Sequence, residues 1–319
     1  MSDVPQFLLH VGYPKSGTTT LQAGIFADRP DIFFAGKTQG PSGEEITPEA
    51  DRFRTLVSYA SAAHLKRHGA GAIAGLDRIW QASGKRKLLM SLEGMTNPMV
   101  DTHYTQPRDI FTKATHIAEL LAPVRARGVE LRFLVTLRAQ TDLLPSLFSQ
   151  IYLHGFTTGL YPPSYDGFLD FMLGDEIMGF GPDFFFDAYL DHLGALFGAE
   201  NVFAADMKAL LKGEGGTQAL ADFLETDTAT CAEQVAASPR MNTRKLAGGR
   251  RMMVKSGALQ QFEANTGFAV RRRAFGMMDR LNLRRGKPVL WQLPDRTERI
   301  AAYYAASNAR LAETYGITI

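Results

Sequence analysis

The chain has little cysteine and little net charge, and each shortage excludes a class of protein. Among 319 residues there is one cysteine, Cys231, so no intramolecular disulfide can form and no zinc site can be built from thiolates. A single thiol suits a reducing compartment. The formal net charge is +2, whereas a general nucleic-acid binder shows a strong basic excess. We therefore expect no nucleic-acid partner.

Long apolar runs are also missing. No stretch of about 20 apolar residues is present to span a bilayer, and the first residues do not combine a basic segment with a long apolar run, as a signal peptide would. We expect a soluble, cytoplasmic protein with no membrane span. Apolar residues make up 45% of the chain, which is enough to bury a sizeable core.

Short apolar runs alternate with helical segments along the chain. The runs predict strands at 6–12, 32–35, 87–92, 129–137 and 201–205. Helices are predicted at 18–26, 50–83 with a glycine-rich break at 69–71, 110–127, 142–154, 184–197, 217–225 and 296–315. This alternation is typical of βαβ units, so we expect an α/β fold of three layers around a central parallel sheet, with helical additions.

A single domain over residues 1–319 is the expected organisation. Residues 226–250 are polar and contain Ser238-Pro239 and Gly248-Gly249, which predicts a mobile loop. The C-terminal part, 250–319, is expected to pack on the core, because apolar residues such as Ile300 and Leu311 recur there at helical spacing. A domain boundary near residue 226 is the alternative. The sequence does not determine the oligomeric state.

The segment from Gly12 to Leu21 (GYPKSGTTTL) is the most informative part of the sequence. It places a glycine-bearing loop between a strand and a helix, where unpaired backbone N–H groups point at a bound anion. Gly12 and Gly17 let the backbone turn and approach a phosphate closely. The hydroxyls of Thr18 and Thr19 add donors at the same place. The segment therefore predicts a phosphate cradle.

The lysine of this loop does not stand where the lysine of a nucleotide triphosphatase P-loop, G-x-x-x-x-G-K-[ST], stands. Gly12 and Gly17 keep the glycine spacing, but Thr18 stands in the position of the lysine, and the lysine lies three residues earlier, at Lys15. No predicted strand ends in a clear acidic signal for Mg²⁺. A P-loop kinase of a small molecule is the alternative function, and the displaced lysine argues against it.

The segment Pro14–Leu21 (PKSGTTTL), preceded by the strand that ends at Gly12, resembles the 5′-phosphosulfate-binding loop of sulfotransferases that use 3′-phosphoadenosine 5′-phosphosulfate (PAPS). The resemblance implies the P-loop-NTPase-like sulfotransferase fold, with adenosine 3′,5′-bisphosphate (PAP) as the product and no required metal. It also implies donor-binding roles for six loop residues: Pro14, Lys15, Ser16, Gly17, Thr18 and Thr19. A non-catalytic PAP- or nucleotide-binding module is a further alternative.

The same family holds the 3′-phosphate of PAPS with an arginine at a strand end and a serine eight residues on. Arg138 and Ser146 match these positions, and by resemblance they form the second anion site. The sequence departs from the family at Gln140, where a proline is common, and at Leu143, where a second arginine is common. The segment 284–291 (RRGKPVLW) is similar to the family's R-K-G-x-x-G-x-W loop, which implies that Arg285 and Gly286 also contact the 3′-phosphate.

Sulfuryl transfer needs a cation beside the leaving oxygen and a base for the acceptor proton. Lys15 is our candidate for the cation. Glu93 is our candidate for the base, because it follows the predicted strand at 87–92 and the family places a histidine or glutamate there. His10 and His154 are reserve candidates, with a core position favoured for His10 and a surface position for His154. Bacterial relatives with this loop style suggest a carbohydrate or small metabolite as acceptor.

Overall fold

The structure is a computed structural model, and it describes residues 4–13, 16–36, 38–40, 43–59, 62–92, 95–96, 110–148, 165–174, 181–238 and 294–319. The chain divides into two compact units. The first comprises residues 1–143, 180–242 and 304–319, and the second comprises residues 144–179 and 243–303. None of these junctions lies at residue 226, and the single domain stays a prediction.

Five parallel strands form the centre of the first unit. The strands lie in the order β2-β5-β1-β6-β7. Their bounds are Gln6–Gly12 for β1, Ile32–Phe34 for β2, Lys87–Ser91 for β5, Glu130–Leu137 for β6 and Val202–Asp206 for β7. Two short strands, β3 (Thr38–Gly40) and β4 (Gly43–Glu45), form a separate antiparallel pair. The parallel sheet expected from the alternating pattern is confirmed.

Helices connect these strands. Their bounds are Thr18–Leu21 for α1, which continues as a π-helix over Gln22–Phe26, then Pro48–Tyr59 for α2, Ala62–Ala82 for α3, Ile110–Ala126 for α4, 140–148 for α5, Tyr165–Leu173 for α6, Phe186–Phe197 for α7, Met207–Lys212 for α8, Thr217–Leu224 for α9, Thr228–Ala237 for α10 and Pro294–Tyr315 for α11. Short 3₁₀ turns lie at Gly181–Phe184 and Ala199–Asn201.

Both faces of the sheet are buried under helices, which makes the first unit three-layered. On the front face, Leu8, Leu89 and Leu134 pack with the π-helix, α9 and α10. On the back face, the ring centroid of Phe7 lies 5.9 Å from that of Phe53 on α2. Burial on both faces explains why the strands read as continuous apolar runs.

Two of the predicted segments were wrong. Helix α3 passes through Gly69 and Gly71 without a break, and a Cβ at Gly69 would overlap Leu120 of α4, so this glycine permits close helix packing. The loop predicted at 226–250 contains helix α10, which Asp227 caps by accepting a 2.7 Å hydrogen bond from the Thr230 N–H. Polarity misled the prediction, because one face of this short helix still buries Cys231.

The second unit contains α6, residues 144–148 of α5 and residues 294–303 of α11 among its described parts. Phe148 packs against Tyr165 and Phe168, with both centroid separations at 5.2 Å. Arg296 donates to both carboxylate oxygens of Asp166, at 2.5 and 2.6 Å. Bidentate ion pairs of this kind fix the orientation of two helices more than they add stability at an exposed position.

A charged cluster at the amino end of the front face surrounds the buried Lys87. The Lys87 ammonium donates to the Leu224 carbonyl at 2.8 Å and lies 3.5 Å from both Asp31 and Glu225. Arg132 lies 3.3 Å from Glu225. Burial opposes ionisation of Glu225, but a hydrogen bond from Gln6 and the two cations outweigh it and hold its pKa below the usual 4.5.

We expect this cluster to make the protein sensitive to acid. A carboxylate whose pKa is lowered by folding stabilises the protein above its unfolded pKa, and that stability is lost as the pH falls through the folded pKa. The pKa of Asp31 is also lowered: burial raises it, and the hydrogen bond and charge of Arg29 outweigh that effect. The free energy of unfolding should therefore decrease as the pH falls below the ordinary values of 4.5 and 3.8.

Denaturant unfolding at a series of pH values measures this dependence. Glu225→Gln removes one of the two carboxylates and should give a flatter acid limb than the unchanged protein. Glu313→Gln, on an exposed position of α11, is the matched control and should reproduce the unchanged curve. If Glu225→Gln and the unchanged protein lose stability equally as the pH falls, the Glu225 carboxylate does not cause the acid sensitivity.

Candidate functional site

The candidate site lies where three neighbouring strands end. β1 pairs with β5 on one side and with β6 on the other, and all three run in the same direction. Strand order reverses at β1, because β2 and β5 lie to one side and β6 and β7 to the other. In open parallel sheets, ligands bind in the crevice outside the carboxyl ends of the strands at such a reversal. The glycine-bearing loop leaves β1 at this place.

Gly12 leaves no room for a side chain at the end of β1. A Cβ at this position would collide with Cγ2 of Thr18 and would lie 2.8 Å from Oγ1 of Thr136 and 3.1 Å from Oγ of Ser16. Three side chains therefore converge on the bare backbone of Gly12. This close approach accounts for the first glycine of the loop.

The second glycine of the loop is explained by its backbone conformation. Gly17 has a φ of 81° and precedes the first residue of α1, so it takes the left-handed conformation that residues with a Cβ adopt at a cost. The turn is closed by the Ser16 N–H, which donates to the Tyr13 carbonyl at 3.0 Å, and by the Thr20 N–H, which donates to Gly17 at 2.9 Å. The loop thus turns sharply into the helix.

The buried side chain of Tyr13 anchors the start of the loop in the core. Its side chain is completely buried, and its hydroxyl donates to the Asp183 carbonyl at 3.0 Å. The ring packs edge-on against Phe186 with the centroids 4.7 Å apart. Burial raises the pKa of Tyr13 well above its usual value, which keeps the phenol protonated as a donor. Sequence reasoning missed this residue, although an aromatic directly after Gly12 was the available signal.

The chain after β5 is bonded to the end of β1. The Leu92 N–H donates to the His10 carbonyl at 2.8 Å, and the Thr96 hydroxyl donates to the Gly12 carbonyl at 2.7 Å. The Met95 N–H closes a turn back to Leu92 at 3.1 Å. Thr96 was also missed by sequence reasoning, since nothing in its local pattern points to Gly12.

A line of hydrogen-bonded polar side chains, all buried except the half-buried Gln22, runs across the three strand ends on the front face. The Gln22 amide N–H donates to Ser91 Oγ at 2.8 Å, and Ser91 Oγ lies 2.8 Å from Nδ1 of His10. Nε2 of His10 lies 3.1 Å from Thr136 Oγ1, which lies 3.0 Å from Ser16 Oγ. We call these five residues the hydroxyl–histidine line. It ends at a residue of the predicted anion loop.

His10 is a neutral core residue. Its side chain is fully buried, and both ring nitrogens bond hydroxyl groups. Burial lowers the pKa of His10 to about 3, so the imidazole is uncharged at neutral pH. The ring also meets Phe26 edge-on, with the centroids 5.2 Å apart. This is the core position that the sequence favoured over a role as acceptor base.

Arg138 and Ser146 lie on adjacent parts of the chain. Arg138 follows the last residue of β6 and is partly buried, two positions after the Thr136 whose carbonyl accepts from the Tyr13 N–H at 3.1 Å. It therefore lies one strand away from the loop, at the same carboxyl end of the parallel strands. Ser146 is 7% exposed on helix α5 and belongs to the second unit.

Gln140, one of the departures from the family pattern, has its own bonding partners. The side chains of Gln140 and Asn308 exchange two hydrogen bonds, at 3.0 and 3.1 Å, and the Gln140 amide N–H also donates to the Phe184 carbonyl at 3.1 Å. The glutamine therefore ties the start of α5 to the last helix. A proline has no side chain that can make these bonds.

Several predicted site residues lie outside the described residues. These are Pro14, Lys15, Glu93, His154, Arg285 and Gly286. Of the predicted loop residues, the structure brings Ser16 and Thr18 together around Gly12, while Gly17 precedes α1 in the left-handed conformation and Thr19 is partly exposed on α1. Within the described residues, no group of three or more histidine, cysteine or acidic side chains is arranged to hold a metal ion. Among those same residues, no helix combines the length and apolarity needed to cross a membrane.

Comparison with known proteins finds similarity in structure but not in sequence. No protein-family model matches the chain, and none of the curated proteins matches it in sequence. The chain is similar in structure to a sulfotransferase from Alicyclobacillus acidocaldarius, at 12% sequence identity and a TM-score of 0.49. That similarity covers 100% of this chain and 98% of the other.

Gly12→Ala tests the close approach at the end of β1. Because the added methyl group overlaps Thr18, we expect the free energy of unfolding to fall by about 1–3 kcal/mol, as for overpacked cores. Gly71→Ala is the matched control, since a Cβ there meets nothing within 4 Å, and it should raise the free energy by about 0.5–1 kcal/mol in the helix interior. Denaturant unfolding measures both. A neutral Gly12→Ala substitution would show that the strand end has room for a side chain.

Proposed function

We propose that this protein is a sulfotransferase that moves the sulfuryl group from PAPS to a hydroxyl or amine of an acceptor. The observation that carries the proposal is the loop at the end of the central strand, with bare backbone at Gly12 and the left-handed Gly17. The loop also carries its lysine at residue 15, and Thr18 in the P-loop lysine position. Such a loop presents N–H groups to an anion.

In this proposal the loop holds the 5′-phosphosulfate of the donor. Backbone N–H groups at the start of α1 and the hydroxyls of Ser16, Thr18 and Thr19 act as donors, together with the Lys15 ammonium. These donors can hold the phosphosulfate without a metal ion. Burial of Ser16 and Thr18, at 1% and 4% exposure, supports strong hydrogen bonds because water competes poorly there.

Arg138 is proposed to bind the 3′-phosphate, which distinguishes PAPS from ATP. Its place one residue beyond β6, beside the strand that carries the loop, supports this role. A guanidinium can make two parallel charge-assisted hydrogen bonds to one phosphate. By resemblance, Ser146, Arg285 and Gly286 complete this second anion site.

The proposed chemistry is an in-line displacement at sulfur. The acceptor oxygen or nitrogen attacks the sulfur, the bond from sulfur to the bridging oxygen breaks, and PAP leaves with that oxygen. Lys15 stabilises the negative charge that develops on the bridging oxygen. The Glu93 carboxylate takes the acceptor proton. The hydrogen bonds of Leu92 and Thr96 to the end of β1 support this choice, since Glu93 lies between them in sequence.

The acceptor is proposed to be a carbohydrate or another small metabolite. This rests on the resemblance of the loop to bacterial sulfotransferases, together with the aromatic segment at 156–165 (FTTGLYPPSY) as a candidate cleft lining. That segment lies outside the described residues. A screen of sugars and small hydroxyl compounds with PAPS as donor is the direct test of the acceptor class.

Calorimetric titration with PAP, ADP and ATP plus Mg²⁺ tests the donor. We expect tight PAP binding that needs no metal, and weak ADP binding, because only PAP carries the 3′-phosphate. Arg138→Ala should weaken PAP by about 10- to 100-fold, the range for a lost charge-assisted contact, and adenosine 5′-phosphate far less. Arg125→Ala, on an exposed position of α4, is the control. Preference for ATP with Mg²⁺ would indicate the kinase instead.

Two variants separate binding from chemistry. Lys15→Ala should lower kcat by about 100- to 1,000-fold, the cost of one lost oxyanion donor, while PAP still binds. Glu93→Gln should lower kcat about 100-fold or more with little change in PAP affinity, because the base acts on the acceptor.

Lys212→Ala and Glu233→Gln, on exposed positions, are the matched controls and should keep full turnover. Full activity in Lys15→Ala would remove the lysine from the reaction. Unchanged turnover in Glu93→Gln would assign the base to another residue. Tight PAP binding with no turnover for any acceptor would favour a non-catalytic binding module.

A further inference from the structure

The hydroxyl–histidine line has a direction of hydrogen donation. Gln22 donates its amide N–H to Ser91, so the Ser91 oxygen is an acceptor in that bond. Among the described side chains, the Ser91 hydroxyl bonds Gln22 and His10. The Ser91 hydroxyl therefore has an acceptor for its own proton when it donates to Nδ1 of His10.

A neutral imidazole that accepts at Nδ1 carries its proton on Nε2. The Nε2–H of His10 then donates to Thr136, and the Thr136 hydroxyl donates to Ser16. The Ser16 oxygen accepts this bond, so its own proton points away from Thr136. Within the described residues, the Ser16 hydroxyl makes no other side-chain hydrogen bond that would take this proton.

The other tautomer reverses the line. With the proton on Nδ1, Ser91 would accept two hydrogen bonds and its own buried proton would lose its acceptor. Nε2 would accept from Thr136, and Thr136 would accept from Ser16. The Ser16 proton would then point towards Thr136 in the core, and it would not be available to an anion in the loop. The amide of Gln22, which can donate from its nitrogen, thus selects between the two arrangements.

We propose that His10 is a positioning residue, held as the Nε2–H tautomer, which makes the Ser16 hydroxyl donate to an anion bound beside Ser16 at the start of α1. This deepens the proposed function, since the anion is the phosphosulfate if the protein is a PAPS sulfotransferase. His10 itself touches no substrate. Its low pKa supports the role, because a charged imidazole would donate from both nitrogens.

The proposed role of His10 accounts for a polar line inside the core at this place. Hydrogen bonds that donate in one direction polarise one another, so each bond strengthens the next. Here the last donor is Ser16, and an anion is the partner that gains most from a polarised hydroxyl. The histidine of β1 is thereby connected to ligand binding through the hydroxyl groups of Thr136 and Ser16.

The first test reads the tautomer directly. ¹⁵N NMR of the imidazole, with sequence-specific assignment, distinguishes a protonated from an unprotonated ring nitrogen. We expect His10 to carry its proton on Nε2 from pH 6 to pH 8. Gln22→Glu exchanges the amide donor for a carboxylate that only accepts, so we expect the His10 proton to move to Nδ1. An Nδ1–H tautomer in the unchanged protein would overturn the proposal.

The second test is a double-mutant cycle between Thr136 and Ser16. Inorganic pyrophosphate and PAP are both used as probes in calorimetry. Ser16→Ala removes the donor and should weaken binding by about tenfold. Thr136→Val removes the bond that orients Ser16 and should weaken binding by about fivefold to tenfold. If Thr136 acts only through Ser16, the double variant binds within about twofold of Ser16→Ala.

Additive effects in the cycle would overturn the proposal, because Thr136 would then act independently of Ser16. Thr136→Ser, which keeps the hydroxyl, should restore most of the affinity. Thr115→Val is the matched control, since this hydroxyl bonds the Phe111 carbonyl and His192 on α4 and α7. Thermal unfolding of each variant shows whether a loss of affinity reflects a loss of fold.

The two probes separate this inference from the proposed function. Binding of pyrophosphate with the expected coupling, but no preference for PAP, would refute the PAPS donor and support the role of His10. Tight PAP binding with additive effects would support the donor and refute the role of His10. Failure of both anions to bind would overturn both proposals.

Discussion

The bare backbone at Gly12 is the constraint on which the site depends. Ser16, Thr18 and Thr136 converge on a position where a single Cβ has no space. Because β1 is the central strand, this point is also where the ends of β5 and β6 meet the loop. The Thr96 hydroxyl, from the chain after β5, donates to the Gly12 carbonyl, and the hydroxyl of the adjacent Tyr13 donates to the Asp183 carbonyl. Both ends of the loop are therefore in contact with neighbouring strands and not only with the short helix α1.

The front face of the sheet carries polar groups at both ends, with a leucine layer between them. At the amino end they are charged: Lys87 and Arg132 are compensated by Asp31 and Glu225. At the carboxyl end they are neutral, and His10 is kept uncharged by burial. Ion pairs at one end resist acid only while the carboxylates are ionised. The hydroxyl–histidine line at the other end places no formal charge of its own beside the loop after β1.

The division of labour in the proposed reaction follows from these surroundings. The described part of the site offers hydroxyl and backbone donors in a buried setting, where hydrogen bonds to an anion are strong. The formal charges come from residues next to it in the chain, namely Lys15 within the loop and Arg138 after β6. Donors that are already oriented need no rearrangement when negative charge develops on the leaving oxygen. The orientation of Ser16 by His10 would be one instance of the same principle.

The sequence by itself determined the strands, the parallel sheet and the glycine-bearing loop after β1, because apolar runs and glycine spacing are local patterns with a direct geometric meaning. It also favoured a core position for His10. It missed the helix at Thr228–Ala237 and misjudged Gly69, since a polar segment can bury one face and a glycine can serve packing rather than a break. Only the tertiary structure decided the partners of Gln140, Tyr13, Thr96, Ser91 and Thr136. Each of these bonds joins residues far apart in the chain, and no local pattern specifies which distant atom a buried polar group will meet.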